Sequence, residues 1–153
     1  MKTWDNVFTQ PLLEVIQDQI KHLNYMPHGS GEKDSPNTFL YSGELINNRF
    51  WQYLFDKILT NIPIKQTAVS RCYVNKYPPK TFSDWHIDNK DKSCSHTIIF
   101  YPDESGANTV FKKQQIEYKQ NRLLWFDSKL LHKTNINDTI KHRHTLVYKI
   151  KGR

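Results

Sequence analysis

The sequence predicts an α+β protein that is mostly β, in which two N-terminal helices support a core of short strands. Residues 11–23 and 47–60 carry apolar side chains at helical spacing. After the second helix the period shortens, and short runs rich in β-branched and aromatic residues recur between turn-forming pieces. Two helices followed by many short strands are typical of a sandwich or barrel with helices packed on one face. We expect one domain (1–153), with residues 1–62 as helical support and loop and residues 63–153 as the core.

Each predicted helix has one apolar face. Pro11 suits the first turn of the first helix, and Asn61 and Pro63 end the second. The apolar faces consist of Leu12, Leu13, Ile16, Ile20 and Leu23 in the first helix and of Phe50, Trp51, Leu54, Phe55, Ile58 and Leu59 in the second. Between the helices, residues 24–43 are rich in Gly, Pro and Ser and are predicted to form a loop. This loop is equally consistent with a lid over a site and with an inert surface segment.

The core begins with a strand at residues 67–77. Alternation places Val69, Arg71, Tyr73, Asn75 and Tyr77 on one of its faces. Further strands are predicted at 84–88, 97–101, 109–111, 123–126 and 144–150. Along the last strand, Arg143, Thr145 and Val147 share one face, whereas His144, Leu146 and Tyr148 share the other.

The charge and the cysteine content limit the partners and the compartment. The net charge is +7, and residues 111–153 hold eleven Lys and Arg against three acids. This basic part indicates either a polyanion partner such as nucleic acid or a solvated surface around an anionic cosubstrate, and the scattered lysines favour the second. Cys72 and Cys94 are too few for a disulfide framework and are expected to be reduced thiols. Without a signal-like or membrane-length apolar run, we expect a cytoplasmic protein with no membrane partner.

The side chains with metal-binding chemistry centre on His86 and Asp88. They are two residues apart, so on an extended strand both side chains leave by the same face. The apolar strand 123–126 leads to His132, which is the preferred third ligand; His142 and His144 are the alternatives, and His144 has the wrong parity relative to Arg143. Two histidines and one carboxylate on one face of a metal are the ligands of non-haem Fe(II) oxygenases.

Arg143 is the candidate anion-binding residue. If His132 binds metal, the spacing places Arg143 near the same cavity. A guanidinium cannot be neutralised by losing a proton, so its burial requires an anion, and its planar fork suits a carboxylate. The hydroxyls of Thr145 and Tyr77 are candidate donors to the same anion.

Several short segments, taken in order from about Arg71 to Lys149, resemble those of the Fe(II)- and 2-oxoglutarate-dependent dioxygenases. The core of that family is a double-stranded β-helix, or jelly roll. The matching pieces are Tyr73-Val74-Asn75-Lys76-Tyr77, His86-Ile87-Asp88, Gly106-Ala107-Asn108-Thr109-Val110-Phe111, Leu131-His132 and Arg143-His144-Thr145. The prolyl 4-hydroxylase-like branch is the most similar in appearance. Its usual Gly-Gly-x-Thr-x-Phe stands here with Ala107 in place of the second glycine.

The resemblance implies a role for each residue. The metal ligands and catalytic centre would be His86, Asp88 and His132, and the cosubstrate 2-oxoglutarate would be held by Arg143, Thr145, Tyr77 and Asn75. The cofactors implied are Fe(II), 2-oxoglutarate and O2, with ascorbate as an optional reductant. Because halogenating relatives have a small residue where this chain has Asp88, the resemblance implies a hydroxylase that releases succinate and CO2.

Three functions compete at this stage. The leading one is hydroxylation of a C–H bond in a peptidyl substrate, prolyl included, or in a small molecule. The first alternative is oxidative demethylation of alkylated nucleic acid, suggested by the spacing of Asn75 and Tyr77; the demethylases, however, carry Arg-x-Asn and a second arginine where this chain has Arg143-His144-Thr145 and Lys149. The second alternative is a catalytically silent metal-binding jelly-roll module.

Overall fold

The computed structural model describes residues 1–28, 39–62, 68–89 and 94–151. Its helices are α1 (Gln10–Lys21) and α2 (Arg49–Asn61). Its strands are β1 (Lys2–Trp4), β2 (Met26–His28), β3 (Phe39–Tyr41), β4 (Ala68–Tyr77), β5 (His96–Tyr101), β6 (Thr109–Phe111), β7 (Gln114–Ile116), β8 (Arg122–Asp127), β9 (His132–Thr134) and β10 (Arg143–Lys151). Within these ranges, neither helix has the length and apolar character that crossing a membrane requires.

The strands form two antiparallel sheets, one large and one small. The large sheet has the order β1-β8-β5-β10-β4-β3-β2, and the small sheet has the order β7-β6-β9. Their facing sides are in contact, since Phe111 of the small sheet packs edge-on against Phe126 of the large sheet with ring centroids 5.1 Å apart. A mostly β chain with two packed sheets is the architecture that the sequence predicts, and it is consistent with a jelly-roll core.

Both helices pack on one face of the large sheet. α1 buries Leu13, Ile16 and Ile20, and α2 buries Trp51, Leu54, Phe55 and Ile58. They meet Cys72, Val74, Ile98, Phe100, Leu123, Leu146, Tyr148 and Ile150 of the sheet. The predicted apolar helix faces therefore form this core, and Asn48 begins α2 by accepting a hydrogen bond from the Phe50 N–H at 2.9 Å.

The opposite face of the large sheet combines apolar and polar side chains. Alternation along β10 follows the prediction. Val147 belongs to a second buried cluster, together with Phe111 and Phe126, whereas Leu146 and Tyr148 pack towards the helices. Arg143 and Thr145, which share the parity of Val147, are also buried. The polar residues singled out from the sequence thus lie between the two sheets.

The prediction of a loop at residues 24–43 is wrong at both ends of that segment. β2 and β3 pair with each other and extend the large sheet beyond β4. Strands this short carry little signal of their own, because their pairing is supplied by the neighbouring edge. Residues 29–38, and with them the lid hypothesis, lie outside the described residues, as do Pro63 and the first residue of the predicted strand 67–77.

Two further strand predictions need correction. The predicted strand at 84–88 is reduced to a single bridge, in which His86 pairs with His132. In β4, the pairing with β10 shifts between Lys149 and Ile150. This bulge leaves Ser70 without an opposite residue in the register, although its hydroxyl donates to the Lys149 carbonyl at 3.0 Å. Val69 therefore packs against the helix-side core instead of sharing a face with Arg71.

Asn121 ties the segment before α1 to the large sheet. Its side-chain Oδ1 accepts from the Phe8 N–H at 2.9 Å, and its Nδ2 donates to the Phe8 carbonyl at 2.7 Å. Its backbone has φ +59°, in the left-handed region where a β-carbon is strained. Two hydrogen bonds to Phe8, 113 residues away in sequence, therefore hold Asn121 in this left-handed backbone conformation.

We expect Asn121→Ala to lower the free energy of unfolding by about 2–4 kcal/mol, because it removes two buried hydrogen bonds and keeps the left-handed strain. Asn121→Gly loses the same bonds without the strain and should be about 1 kcal/mol more stable than the alanine variant. Urea unfolding followed by circular dichroism measures both. Wild-type stability of Asn121→Ala would contradict this account.

Candidate functional site

His86 and His132 are brought together by the backbone. The His86 N–H donates to the His132 carbonyl and the His132 N–H donates to the His86 carbonyl, both at 2.9 Å. This reciprocal pair places the two imidazole rings side by side, with centroids 4.3 Å apart. On its other side, His132 pairs with Phe111 of β6. The second histidine is thus positioned by the small sheet.

Asp88 completes a three-residue group. Its Oδ1 lies 3.8 Å from His86 Nε2, and its Oδ2 lies 3.7 Å from His132 Nε2. One ligand atom from each of the three side chains lies within 4.8 Å of the other two, which is a group that could hold a metal ion. Two imidazoles and one carboxylate form the facial donor set that non-haem Fe(II) uses.

Hydrogen bonds fix which nitrogen each histidine offers. His86 Nδ1 lies 2.8 Å from the Asp84 carbonyl, and His132 Nδ1 lies 2.9 Å from the Leu130 carbonyl. A carbonyl oxygen only accepts, so each Nδ1 carries a proton, and in the neutral form of each ring it is Nε2 that offers a lone pair to the shared centre. Burial lowers the pKa of His132 although Asp88 opposes the shift, which favours the neutral imidazole that a metal requires.

Both oxygens of the Asp88 carboxylate are held in place. Oδ2 accepts from the Thr97 hydroxyl at 2.7 Å, and Oδ1 lies 3.1 Å from the Lys149 Nζ. Burial alone would raise the pKa of Asp88, but Lys149, His132 and the Thr97 hydrogen bond together hold it below its ordinary value. The carboxylate is therefore ionised and oriented without a metal.

Arg143 is fully buried and has no anionic partner among the described residues. Its Nε, Nη1 and Nη2 atoms all lack a hydrogen-bond partner in that part of the chain. The guanidinium carbon lies 4.8 Å from the ring centroid of Tyr77, 5.0 Å from Tyr118 and 5.9 Å from Tyr101. A buried cation whose donors are all free is costly unless an anion binds to it.

Gly106 allows the Arg143 side chain to lie where it does. A β-carbon at this position would lie 2.7 Å from both Cγ and Cδ of Arg143 and 2.9 Å from Cδ2 of Tyr118. Tyr118 is itself fixed, because its hydroxyl donates to the His144 carbonyl at 3.0 Å. The missing side chain at Gly106 therefore lets the backbone lie directly against Arg143. We call the surroundings of the Arg143 guanidinium, formed by Gly106, Tyr77, Tyr101 and Tyr118, the anion pocket.

The remaining predicted residues line the same face. Cross-strand pairing sets Tyr77 opposite Arg143 and Asn75 opposite Thr145. Thr145 is buried, and Asn75 Oδ1 is buried without a hydrogen-bond partner among the described residues. Since a half-turn of the amide exchanges oxygen and NH2, Asn75 can present either an acceptor or two donors to this cavity.

The alternative histidines lie elsewhere. His144 faces away from the metal group, and its Nδ1 lies 3.1 Å from Asp103 Oδ2; His142 is exposed. Sequence reasoning missed Tyr101, Tyr118, Thr97 and Lys149 as parts of the site. Lys149 and Tyr101 have the strand parity that would have revealed them, but Tyr118 lies in no strand and gives no such signal.

No protein-family model matches the chain, and no curated protein matches it. Several solved structures, however, are similar over nearly its whole length. HygX from Streptomyces hygroscopicus, solved with nickel and 2-oxoglutarate, is 10% identical with a TM-score of 0.76, covering 97% of this chain and 81% of that one. A prolyl-4-hydroxylase from Pseudomonas putida is 13% identical with a TM-score of 0.72, covering 99% and 92%.

A prolyl hydroxylase from Trichoplax adhaerens, solved with a peptide fragment of the hypoxia inducible factor oxygen degradation domain, is 15% identical with a TM-score of 0.71, covering 98% of this chain and 82% of that one. These structures are 2-oxoglutarate–Fe(II) oxygenase family members. The predicted resemblance to that family and the jelly-roll core are therefore confirmed at the level of the fold.

We expect the purified protein to bind one equivalent of Co(II) or Ni(II) at neutral pH, and His132→Ala to weaken this binding at least about a hundredfold, since changes outside the ligand set alone cost 10–100-fold. Isothermal titration calorimetry measures the stoichiometry and the affinity. The matched control is His142→Ala, which removes an exposed histidine and should bind as the wild type does. Equal binding by the two variants would exclude the assigned metal site.

Proposed function

We propose that this chain, which has the fold of the 2-oxoglutarate- and Fe(II)-dependent oxygenases, is a non-haem Fe(II)- and 2-oxoglutarate-dependent hydroxylase. The proposal depends on two observations, the His86, Asp88 and His132 group and the buried Arg143 without a hydrogen-bond partner among the described residues. We infer that both border the same space between the sheets. Phe111 supports this placement, because it contacts His132 and belongs to the same buried cluster as Tyr101 and Tyr118, two of the three tyrosines beside Arg143.

The donor chemistry fits Fe(II). His86 and His132, each through a neutral imidazole, and Asp88 through its carboxylate would hold the metal as the facial donor set of the non-haem Fe(II) oxygenases. The chain holds these donors through the Nδ1 hydrogen bonds of His86 and His132 and through the Thr97 bond to Asp88. With the carboxylate of Asp88 as third ligand, the site is proposed to support hydroxylation and not halogenation.

The anion pocket fits one end of 2-oxoglutarate. The Arg143 fork would bind the distal carboxylate through two parallel N–H bonds, and the Thr145 hydroxyl lies on the same face of β10. Tyr77 lies directly opposite Arg143, and Asn75 would turn its NH2 towards the cosubstrate. The surrounding tyrosine rings exclude water from the guanidinium, which strengthens its attraction to a carboxylate.

When bound, the metal and cosubstrate supply the oxidation: one oxygen atom of O2 enters a substrate C–H bond, and the other enters succinate as 2-oxoglutarate loses CO2. The residues of the chain would bind and orient the metal and the cosubstrate, and they would exclude water from the site. For the primary substrate, we propose a peptidyl side chain, prolyl included, or a small molecule. Two of the similar structures support these substrate classes: one is a prolyl-4-hydroxylase, and the other is HygX, which was solved with hygromycin B bound.

We expect anaerobic Fe(II) and 2-oxoglutarate to give the wild type a visible charge-transfer band. His132→Ala should give no band. Arg143→Met should require at least about tenfold more 2-oxoglutarate for the same band, because a charge-assisted hydrogen bond contributes about 1.5–3 kcal/mol. In air, the wild type should release succinate from 2-oxoglutarate. Folded, metal-loaded protein that gives neither band nor succinate would favour the silent metal-binding module.

Gly106→Ala should also weaken 2-oxoglutarate binding, by about tenfold or more, because its methyl group would force Arg143 and Tyr118 from their positions. Metal affinity should stay at the wild-type value, since Gly106 touches none of the three ligands in the described contacts. Separate titrations with Co(II) and with 2-oxoglutarate measure the two effects. A parallel loss of both affinities would mean that the substitution damages the fold as a whole.

A further inference from the structure

Lys149 is a buried lysine that contacts the carboxylate member of the metal group. Only 8% of its surface is exposed, and its Nζ lies 3.1 Å from Asp88 Oδ1 and 3.2 Å from the Asp88 carbonyl oxygen. Its ammonium also lies 6.0 Å from the ring centroid of Tyr73. The ammonium therefore contacts Asp88 twice, through one ion pair and one hydrogen bond, and Asp88 is one of the three residues that would bind the metal.

We propose that Lys149 is a positioning residue that sets the charge of the metal centre: it restrains divalent-metal affinity and favours the dianionic cosubstrate. This inference rests on the proposed function only for the cosubstrate. In the metal-free protein, the ammonium neutralises Asp88 and keeps the carboxylate aimed between the two imidazoles. When a divalent cation occupies the group, the same ammonium is left as an additional positive charge beside it.

The physical basis is competition for one carboxylate. A cation 3.1 Å from Oδ1 withdraws negative charge from the donor atoms and repels a divalent ion placed next to them. Both effects weaken metal binding. The same positive charge attracts a dianion that approaches the loaded centre, so metal and cosubstrate affinities should respond to it in opposite directions.

A purely structural role for Lys149 does not account for its contacts. Its cross-strand neighbour Arg71 pairs with Glu44 at 3.0 Å, so a second acid is close to this part of the sheet, yet Lys149 is bonded to Asp88. Thr97 holds Oδ2, and Lys149 holds Oδ1. The carboxylate thus has one partner on each oxygen, and only Lys149 of the two partners carries charge.

The test compares Lys149→Met, which removes the charge at similar volume, with Lys149→Arg, which keeps a cation. Lys151→Met is the matched control, because Lys151 is exposed at the end of the same strand. At neutral pH, Lys149→Met should bind Co(II) at least about fivefold more tightly and, once loaded, 2-oxoglutarate at least about fivefold more weakly. Lys149→Arg, which keeps the positive charge, and the control should stay within about twofold of the wild type in both titrations.

The proposal is overturned if Lys149→Met leaves both affinities unchanged, if it lowers both together, or if Lys149→Arg behaves like Lys149→Met. Should Lys149→Met fail to fold by circular dichroism, Lys149→Gln, which keeps an uncharged donor for Asp88, is measured against the same criteria. The Co(II) titration contains no cosubstrate. Failure of 2-oxoglutarate to bind the wild type would therefore contradict the proposed function, while the metal titration would still decide the effect of Lys149 on the metal.

Discussion

The arrangement of the site depends on the backbone pairing of residues 83–89 with residues 128–134. The Ser83 N–H donates to the Thr134 carbonyl, His86 and His132 exchange two bonds, and the Asp88 N–H donates to the Ser128 carbonyl. No regular strand spans 84–88, so these bonds are what hold the ligand-bearing segment in the described structure. The three donors come from two segments that are distant in sequence, His86 and Asp88 from one and His132 from the other, and they meet because these segments run side by side.

The two faces of the large sheet serve different purposes. The helix-side face is packed with apolar side chains and accounts for most of the hydrophobic burial. The other face carries two buried cations on one strand, Arg143 and Lys149, each of which lowers stability unless it is compensated. Lys149 is compensated by Asp88, whereas the Arg143 nitrogens have no hydrogen-bond partner among the described residues. The free energy gained by burying the apolar face offsets the cost of leaving the Arg143 guanidinium unpaired.

Much of the site follows from strand alternation, which is a local property of the sequence. Asn75, Tyr77, Arg143 and Thr145 fall on one face because β4 and β10 keep their period of two over that stretch. The contact between Lys149 and Asp88 cannot be predicted from strand alternation, because it depends on the distance between β10 and the segment that carries His86 and Asp88. The sequence does not predict β1, β2, β3, β7 and β9 for a related reason: a strand of three residues carries little signal of its own and depends on a neighbour that pairs with it.

The residues around the Arg143 guanidinium also fix its position, and with it the length of any ligand that could reach from it to the metal group. Arg143 is held by the backbone of β10, the Gly106 backbone presses against its side chain, and tyrosine rings surround its guanidinium. The separation between this guanidinium and the metal group is therefore set by the frame of the sheets. A diacid that bridges them must match that length in its carbon chain, so one carbon fewer or more leaves one of its ends without a partner.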